Sequence, residues 1–320
     1  MKQDQLLHTI SKTIPKDKSL IEVIASILDI SYASAHRRTT NNTKLSIEEA
    51  VKLAKHFNFS LDLIFNVGDK NVIPIRKTQV STKPEDMDTY FSETAEMYES
   101  LVKTKDTSII YTSKDLPVFH TYKENDLSKF KVFVWQKLLN TTFSKKKFSE
   151  YIIPISLKKN YLKAGQSYQL LNSSEIWDIT TINSTLKQIL YYNSINQLTN
   201  NEALTICKEL KNTIFDLRKK ATPQSSFKLY SNELLLMGNK LFITTPASST
   251  LYIQFTAINY FSTSDKSTCD HTFEYLNRLL QNCKLINTCS EKEKDTFFNK
   301  MHVKIDSLSE HILGRKVLDF

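Results

Sequence analysis

The segment IEVIASILDISYASAHRRTT, residues 21–40, constrains the fold of this 320-residue chain more than any other. Ile21, Ile24, Ile27 and Leu28 fall at helical spacing and give a first helix its apolar stripe. Two helices cross closely at a tight turn only when the residue at the crossing is small, and Ala25 supplies that residue. Asp29 stands where the backbone has to turn left-handed; Gly adopts that conformation most readily, and Asp is among the few others that tolerate it. Ile30 plugs the turn, and Ser31 is an N-cap for the next helix. Ala35, four residues later, keeps the inner face of that second helix low enough to pack.

Flanking segments supply partners for this pair. Leu6, Leu7, Ile10 and Ile14 make a leading helix stopped by Pro15. Ser46 and Glu49 form a capping box for another, with Val51, Leu53 and Ala54 on its apolar side and Phe57 closing it. Ser60 to Phe65 read as a short capped helix that returns to the core. The expected result is an all-helical bundle over residues 1–67, large enough to carry its own core.

On Ala25, Ile30, Ser31 and Ala35, and on the closing run LAKHFNFSLDLIF, residues 5–68 resemble the Cro and xenobiotic-response-element repressor family of helix-turn-helix regulators. Asp29 replaces that family's usual turn glycine, and Arg38 stands where an apolar residue is common. The resemblance implies a recognition helix from about Tyr32 to Thr40 that lies in the major groove of double-stranded DNA. Its outward side chains would be Tyr32, Ala33, Ser34, His36 and Arg37, with Arg37 placed for a bidentate guanine contact and Ser34 for an adaptable hydrogen bond. Tyr32, Arg38, Asn41, Asn42 and Lys44 would then position the domain on the phosphate backbone. The bland alternative makes Arg37 and Arg38 ordinary solvated charges.

Charge points the same way. The chain carries a formal net charge of +9. Residues 1–77 hold 12 Lys and Arg against 8 Asp and Glu, so the small domain is the more basic per residue. No apolar run is long enough to span a membrane, and the N-terminal residues lack the pattern of a secretory signal. Four cysteines without paired spacing suit a reducing compartment, so a cytoplasmic location is expected.

Residues 68–84, polar and with two prolines, read as an inter-domain linker, and residues 85–320 as an α+β body. Met87, Tyr90, Phe91, Met97, Tyr98 and Leu101 form one stripe of a connecting helix at 85–104. That stripe either pairs with its twin in a homodimer or packs against its own domain. DLSKFKVFVWQKLL, with Leu127, Phe130, Val134 and Leu138, reads as a central helix, and helices follow at 180–192 and 201–220. The pattern then changes. Phe227–Tyr230, Glu233–Met237, Lys240–Thr245 and Thr250–Phe255 read as an antiparallel β-meander, with Gly238-Asn239 as its best hairpin signal. Helices at 272–281 and from Ser290 onward close the chain. Such a layout resembles, in outline only, the ligand-sensing modules attached to regulatory DNA-binding heads.

Catalytic and cofactor signatures are not found. Only four glycines occur, too few for a dinucleotide fingerprint or a phosphate-cradling loop, and no cofactor is expected. Cys269, His271, Cys283 and Cys289 cluster, but their spacing matches no compact zinc finger. His120 near Asp115 has no identifiable nucleophile partner. The expectation is therefore a dimeric, non-enzymatic transcriptional regulator of double-stranded DNA, with a small-molecule effector or oligomerisation role for the body and a palindromic operator. Two alternatives stand beside it: a nucleic-acid-modifying enzyme with a DNA-targeting head, and a protein-interaction scaffold.

Overall fold

The computed structural model describes residues 2–15, 17–65, 72–78, 83, 86–140, 143–233, 238–256 and 258–314. The chain divides into two compact units, Met1–Pro74 and Ile75–Phe320.

Unit 1 is helical throughout its described elements: α1 (Lys2–Thr13), α2 (Leu20–Leu28), α3 (Tyr32–Thr39), α4 (Ile47–His56) and α5 (Leu61–Phe65). Leu6, Leu7, Ile10, Ile24, Leu28, Ala35 and Leu53 form its buried centre. On α1 Ile10 follows Leu6 and Leu7 by four and three residues, and on α2 Leu28 follows Ile24 by four, so each helix buries one stripe. The α4 capping box is present: Ser46 Oγ accepts from the Glu49 amide and Glu49 reaches back to the Ser46 amide.

Unit 2 is α+β. Its elements are β1 (Arg76–Lys77), α6 (Asp86–Lys103), β2 (Ser108–Thr112), α7 (Asp126–Leu139), α8 (Ile155–Gln169), β3 (Asn172–Trp177), α9 (Asn183–Ser194), α10 (Asn200–Lys220), β4 (Phe227–Ser231), β5 (Lys240–Thr244), β6 (Ser249–Gln254), β7 (Tyr260–Thr263), α11 (Lys266–Gln281), β8 (Lys284–Leu285) and α12 (Glu291–Ile312). The strands build one sheet in the order β1-β7-β6-β5-β2-β3-β4-β8. β2, β3 and β4 are parallel, Ile110 opposite Ser174 and Ser174 opposite Lys228. Their connections run through α7–α8 and α9–α10, as parallel pairing requires. The rest of the sheet is antiparallel.

Several expectations are thereby refined. β5, β6 and β7 do form an antiparallel meander. Phe227–Tyr230, however, joins β3 in parallel rather than extending that meander. Residues 234–237 of the expected strand Glu233–Met237 lie outside the described residues. Gly238 and Asn239 pack at the end of β2, where Asn239 Oδ1 accepts from the Lys114 amide at 2.7 Å. Within the expected linker, Arg76–Lys77 is an edge strand on β7, and the Thr78 amide donates to the Tyr260 carbonyl at 2.9 Å. Both ends of the sheet are two-residue strands.

The stripe of α6 is used inside unit 2. Met87, Phe91, Ala95 and Tyr98 are fully buried in its main core, and Tyr90, Met97 and Leu101 pack against that core. The homodimer reading of this stripe is corrected: it is filled by its own domain. Rings pack edge-on around it, Phe91 with Tyr122 at 5.5 Å and Tyr98 with Phe119 at 4.9 Å. α8 comes so close that a Cβ on Gly165 would lie 2.7 Å from Tyr122 Cβ and 3.1 Å from the Tyr122 carbonyl oxygen.

Candidate nucleic-acid interface

α2 ends at Asp29, whose φ and ψ of 59° and 51° are left-handed, and the Ile30 amide donates back to the Ala25 carbonyl at 3.1 Å. An ordinary side chain would pay about 1–2 kcal/mol for that conformation; Asp tolerates it better. The chain then re-enters a helix at Ser31, whose Oγ accepts from the Ser34 amide at 3.3 Å. One residue of α3 is buried, Ala35, and it has no exposed surface. A larger side chain there would push α3 off α2.

That inner contact sends the other side chains outward. Tyr32 is 55% exposed, and with the exposed Ala33, His36 and Arg37 it lines one open concavity on α3. Ser34 is half-buried between two partners: Ser31 Oγ donates to its hydroxyl at 3.0 Å, and Arg37 Nη2 approaches it at 3.5 Å. The last turn of α3 holds His36, Arg37 and Arg38, and its first turn has no acid. Basic groups therefore dominate this helix.

Two residues expected on the phosphate backbone are committed elsewhere. Arg38 turns to α4: Nε donates to Glu49 Oε2 at 2.9 Å, Nη2 to Glu49 Oε1 at 2.7 Å, and Nη1 to the Ser34 carbonyl at 3.2 Å. The same Glu49 closes the capping box, so one carboxylate serves both the start of α4 and Arg38 at the end of α3. Hydrogen bonding from Arg38 holds the Glu49 carboxyl below the usual carboxylate range, although partial desolvation opposes it. Asn41 adopts a left-handed φ of 61° and donates from Nδ2 to Asp4 on α1. Arg38 and Asn41 therefore join the helices of unit 1, with their side chains engaged inside it rather than turned out to solvent. Asn42 and Lys44 remain exposed on the loop.

Gln3 was not singled out from the sequence. Its Nε2 donates to the carbonyls of Arg38, at 2.8 Å, and Thr43, at 3.1 Å, and its Oε1 accepts from the Leu45 amide at 3.0 Å. It moulds the loop after α3. No local pattern marks a glutamine for such a role, because its partners lie 35 to 42 residues away.

In unit 2 the most concentrated polar cluster is closed to solvent. Glu175 on β3 is fully buried and accepts from Tyr168 OH at 2.7 Å and Trp177 Nε1 at 2.9 Å, with His120 Nε2 at 2.8 Å. His120 is itself buried, so the arrangement is a hydrogen-bonded cluster inside the core and not an accessible base. Burial pushes the Cys207 and Cys283 thiols up to about 11, which disfavours their thiolate forms. Cys269 Sγ lies 3.5 Å from the Ser249 carbonyl oxygen, and Cys289 Sγ lies 3.2 Å from that of Ile286. Among the described residues, no group of three or more His, Cys, Asp or Glu is placed to hold a metal ion. No described helix is long and apolar enough to cross a membrane.

No protein-family model matches the chain, and no curated protein matches it. Among solved structures, similarity is found to TrmBL2, described as an archaeal chromatin protein with a novel mode of DNA binding. That similarity covers 83% of this chain and 81% of the other at 10% identity, with a TM-score of 0.25, too low to establish a shared fold.

Proposed function

We propose that this chain is a sequence-specific regulator of transcription that reads double-stranded DNA through α3. Unit 2 would then serve as an effector-sensing or oligomerising body rather than as an enzyme. The observation that carries this reading is the division of α3 into two faces. Ala35 seats the helix, and Tyr32, Ala33, His36 and Arg37 stand free on one open surface beside the exposed Asn42 and Lys44. A helix held in this way after a left-handed turn presents its N-terminal residues to base edges, while the loop reaches phosphates. Arg37 has the donor fork that matches guanine O6 and N7. The half-buried Ser34 would support Arg37 rather than contact bases alone.

In this reading the chain works as a cytoplasmic homodimer on a two-fold operator. The test is selection of bound duplexes from a random pool, followed by titration of the selected duplex at several salt concentrations. Enrichment of a palindromic motif, with affinity falling steeply as salt rises, is the expected result. If no duplex is enriched, or if Arg37→Ala leaves the enriched motif and its affinity unchanged, the reading is wrong.

A further inference from the structure

Between Leu127 and Ser149 the chain carries six lysines and no Asp or Glu. One of the six, Lys131, is buried, and its Nζ donates to Thr185 Oγ1 at 2.6 Å. The other five are Lys129 and Lys137 on α7 and Lys145, Lys146 and Lys147 in the segment after it. Lys145, Lys146 and Lys147 are exposed, and no ion pair engages any of the five among the described residues.

Aromatic faces organise this surface. Lys129 Nζ sits 4.3 Å from the Phe148 ring centroid, Lys137 Nζ 4.9 Å from Phe133, and Lys146 Nζ 5.3 Å from Phe143. Lys137 Nζ also donates to the carbonyl oxygen of Ser144 at 2.7 Å and to that of Lys146, which ties the basic segment to α7. Gln197 Nε2 holds the Ser144 carbonyl from a second side at 2.9 Å. The flanking acid Glu150 accepts from the Lys147 amide at 3.0 Å. A lysine run that merely kept the chain soluble would not need these anchors.

We propose that these lysines form a second DNA-contacting ridge, one that holds the phosphate backbone of a duplex and reads no bases. This inference rests on the reading of the chain as a DNA-binding protein, but it concerns a different surface and fails separately. Five lysines outnumber the flanking acids Asp126 and Glu150, and this excess of positive charge matches a polyanion. The rings of Phe133 and Phe148 are buried and Phe143 carries an ammonium over one face, so little aromatic surface is offered on which an unpaired base could stack. That disfavours single-stranded nucleic acid, whose binding depends on such stacking. Compact ammonium groups on flexible stems suit phosphates as point charges.

The experiment compares the full chain with a variant carrying Lys145→Gln, Lys146→Gln and Lys147→Gln, and with Arg37→Ala. Each is titrated with a duplex of random sequence and with the selected duplex between about 50 and 200 mM salt, where phosphate contacts weigh most. Removing three contacts should lower the slope of log affinity against log salt by about 2 to 3, so that the loss of affinity over this range becomes about 30-fold shallower on both duplexes. The preference for the selected duplex should survive in the triple variant and fall in Arg37→Ala. All three lysines are exposed, so thermal unfolding should be unchanged and serves as the folding control.

An unchanged slope in the triple variant overturns the ridge, whatever Arg37→Ala does. A lowered slope beside an inert Arg37→Ala keeps the ridge and removes the recognition helix. Vesicles containing an anionic phospholipid are the last arm. Binding to them that the triple variant loses, with DNA slopes unaltered, assigns the surface to a membrane and overturns the proposal.

Discussion

The guanidinium of Arg38 and the carboxylate of Glu49 meet in a two-pronged contact, 2.9 Å and 2.7 Å, that joins α3 to α4. Position 38 is thus an anchor of the helix that would carry recognition. Arg38→Ala is expected to lower the melting temperature, with a cost of about 1 kcal/mol for a partly exposed pair. The salt slope of DNA binding should stay near that of the parent. A lowered slope with an unchanged melt would return Arg38 to the phosphates.

The same contact makes unit 1 sensitive to acid. Glu49 is held below the usual carboxylate range chiefly by its hydrogen bonds from Arg38. A carboxylate lowered in the folded state contributes stability that is fully present above its unfolded value, about 4.3, and is lost as pH falls through the folded value. Melting curves recorded from pH 7 downward should therefore decline more steeply for the parent than for Glu49→Gln below about pH 4. Parallel curves would show that the pair contributes nothing to folding.

Arg37→Ala should leave folding intact, since its side chain is exposed and its one side-chain partner, Ser34, lies at 3.5 Å. Its affinity for the selected duplex should fall by about 1–3 kcal/mol, with preference relaxed at one base pair. Repeating the selection with the variant protein checks both outcomes.

Glu175→Ala removes the acceptor for Tyr168, Trp177 and His120 in one step. Removing the shared acceptor leaves buried donors unsatisfied, at about 1–3 kcal/mol each. Chemical denaturation of the variant should show that loss in unit 2. A change under about 1 kcal/mol would mean the cluster is replaceable by packing.

Gly165→Ala adds a methyl group where Tyr122 Cβ would lie 2.7 Å away. Overpacking of this kind costs about 1–3 kcal/mol, because the helix or the 119–122 turn has to move. The urea midpoint should drop, and Gly165→Ser should drop it further.

How much of this was legible beforehand varies with the range of the interactions. The left-handed Asp29, the Ser31 cap, the buried Ala35 and the Ser46–Glu49 box are written in neighbouring residues, and each could be read from its own few positions. β3 was hidden because Asn172, Ser173, Ser174 and Glu175 look unlike a buried strand. Its buried carboxylate is satisfied by Tyr168, Trp177 and His120, and only folding reveals the last of these as a neighbour. Phe227–Tyr230 reads as a strand from its own residues, but its parallel partner β3 does not, since pairing across fifty residues leaves no local trace. At the candidate interface, exposure of Tyr32, Ala33, His36 and Arg37 followed from helical phase. The diversion of Arg38 did not, because nothing local shows that an already capping Glu49 has a second oxygen to offer.

The sheet of unit 2 starts at Arg76–Lys77 and stops at Lys284–Leu285, each a rung or two deep. Strands this short offer a passing strand few groups to pair with, and the two charged side chains of the first discourage it further. Among the described residues, the two short end strands therefore limit growth of the ladder from one copy of the chain to the next.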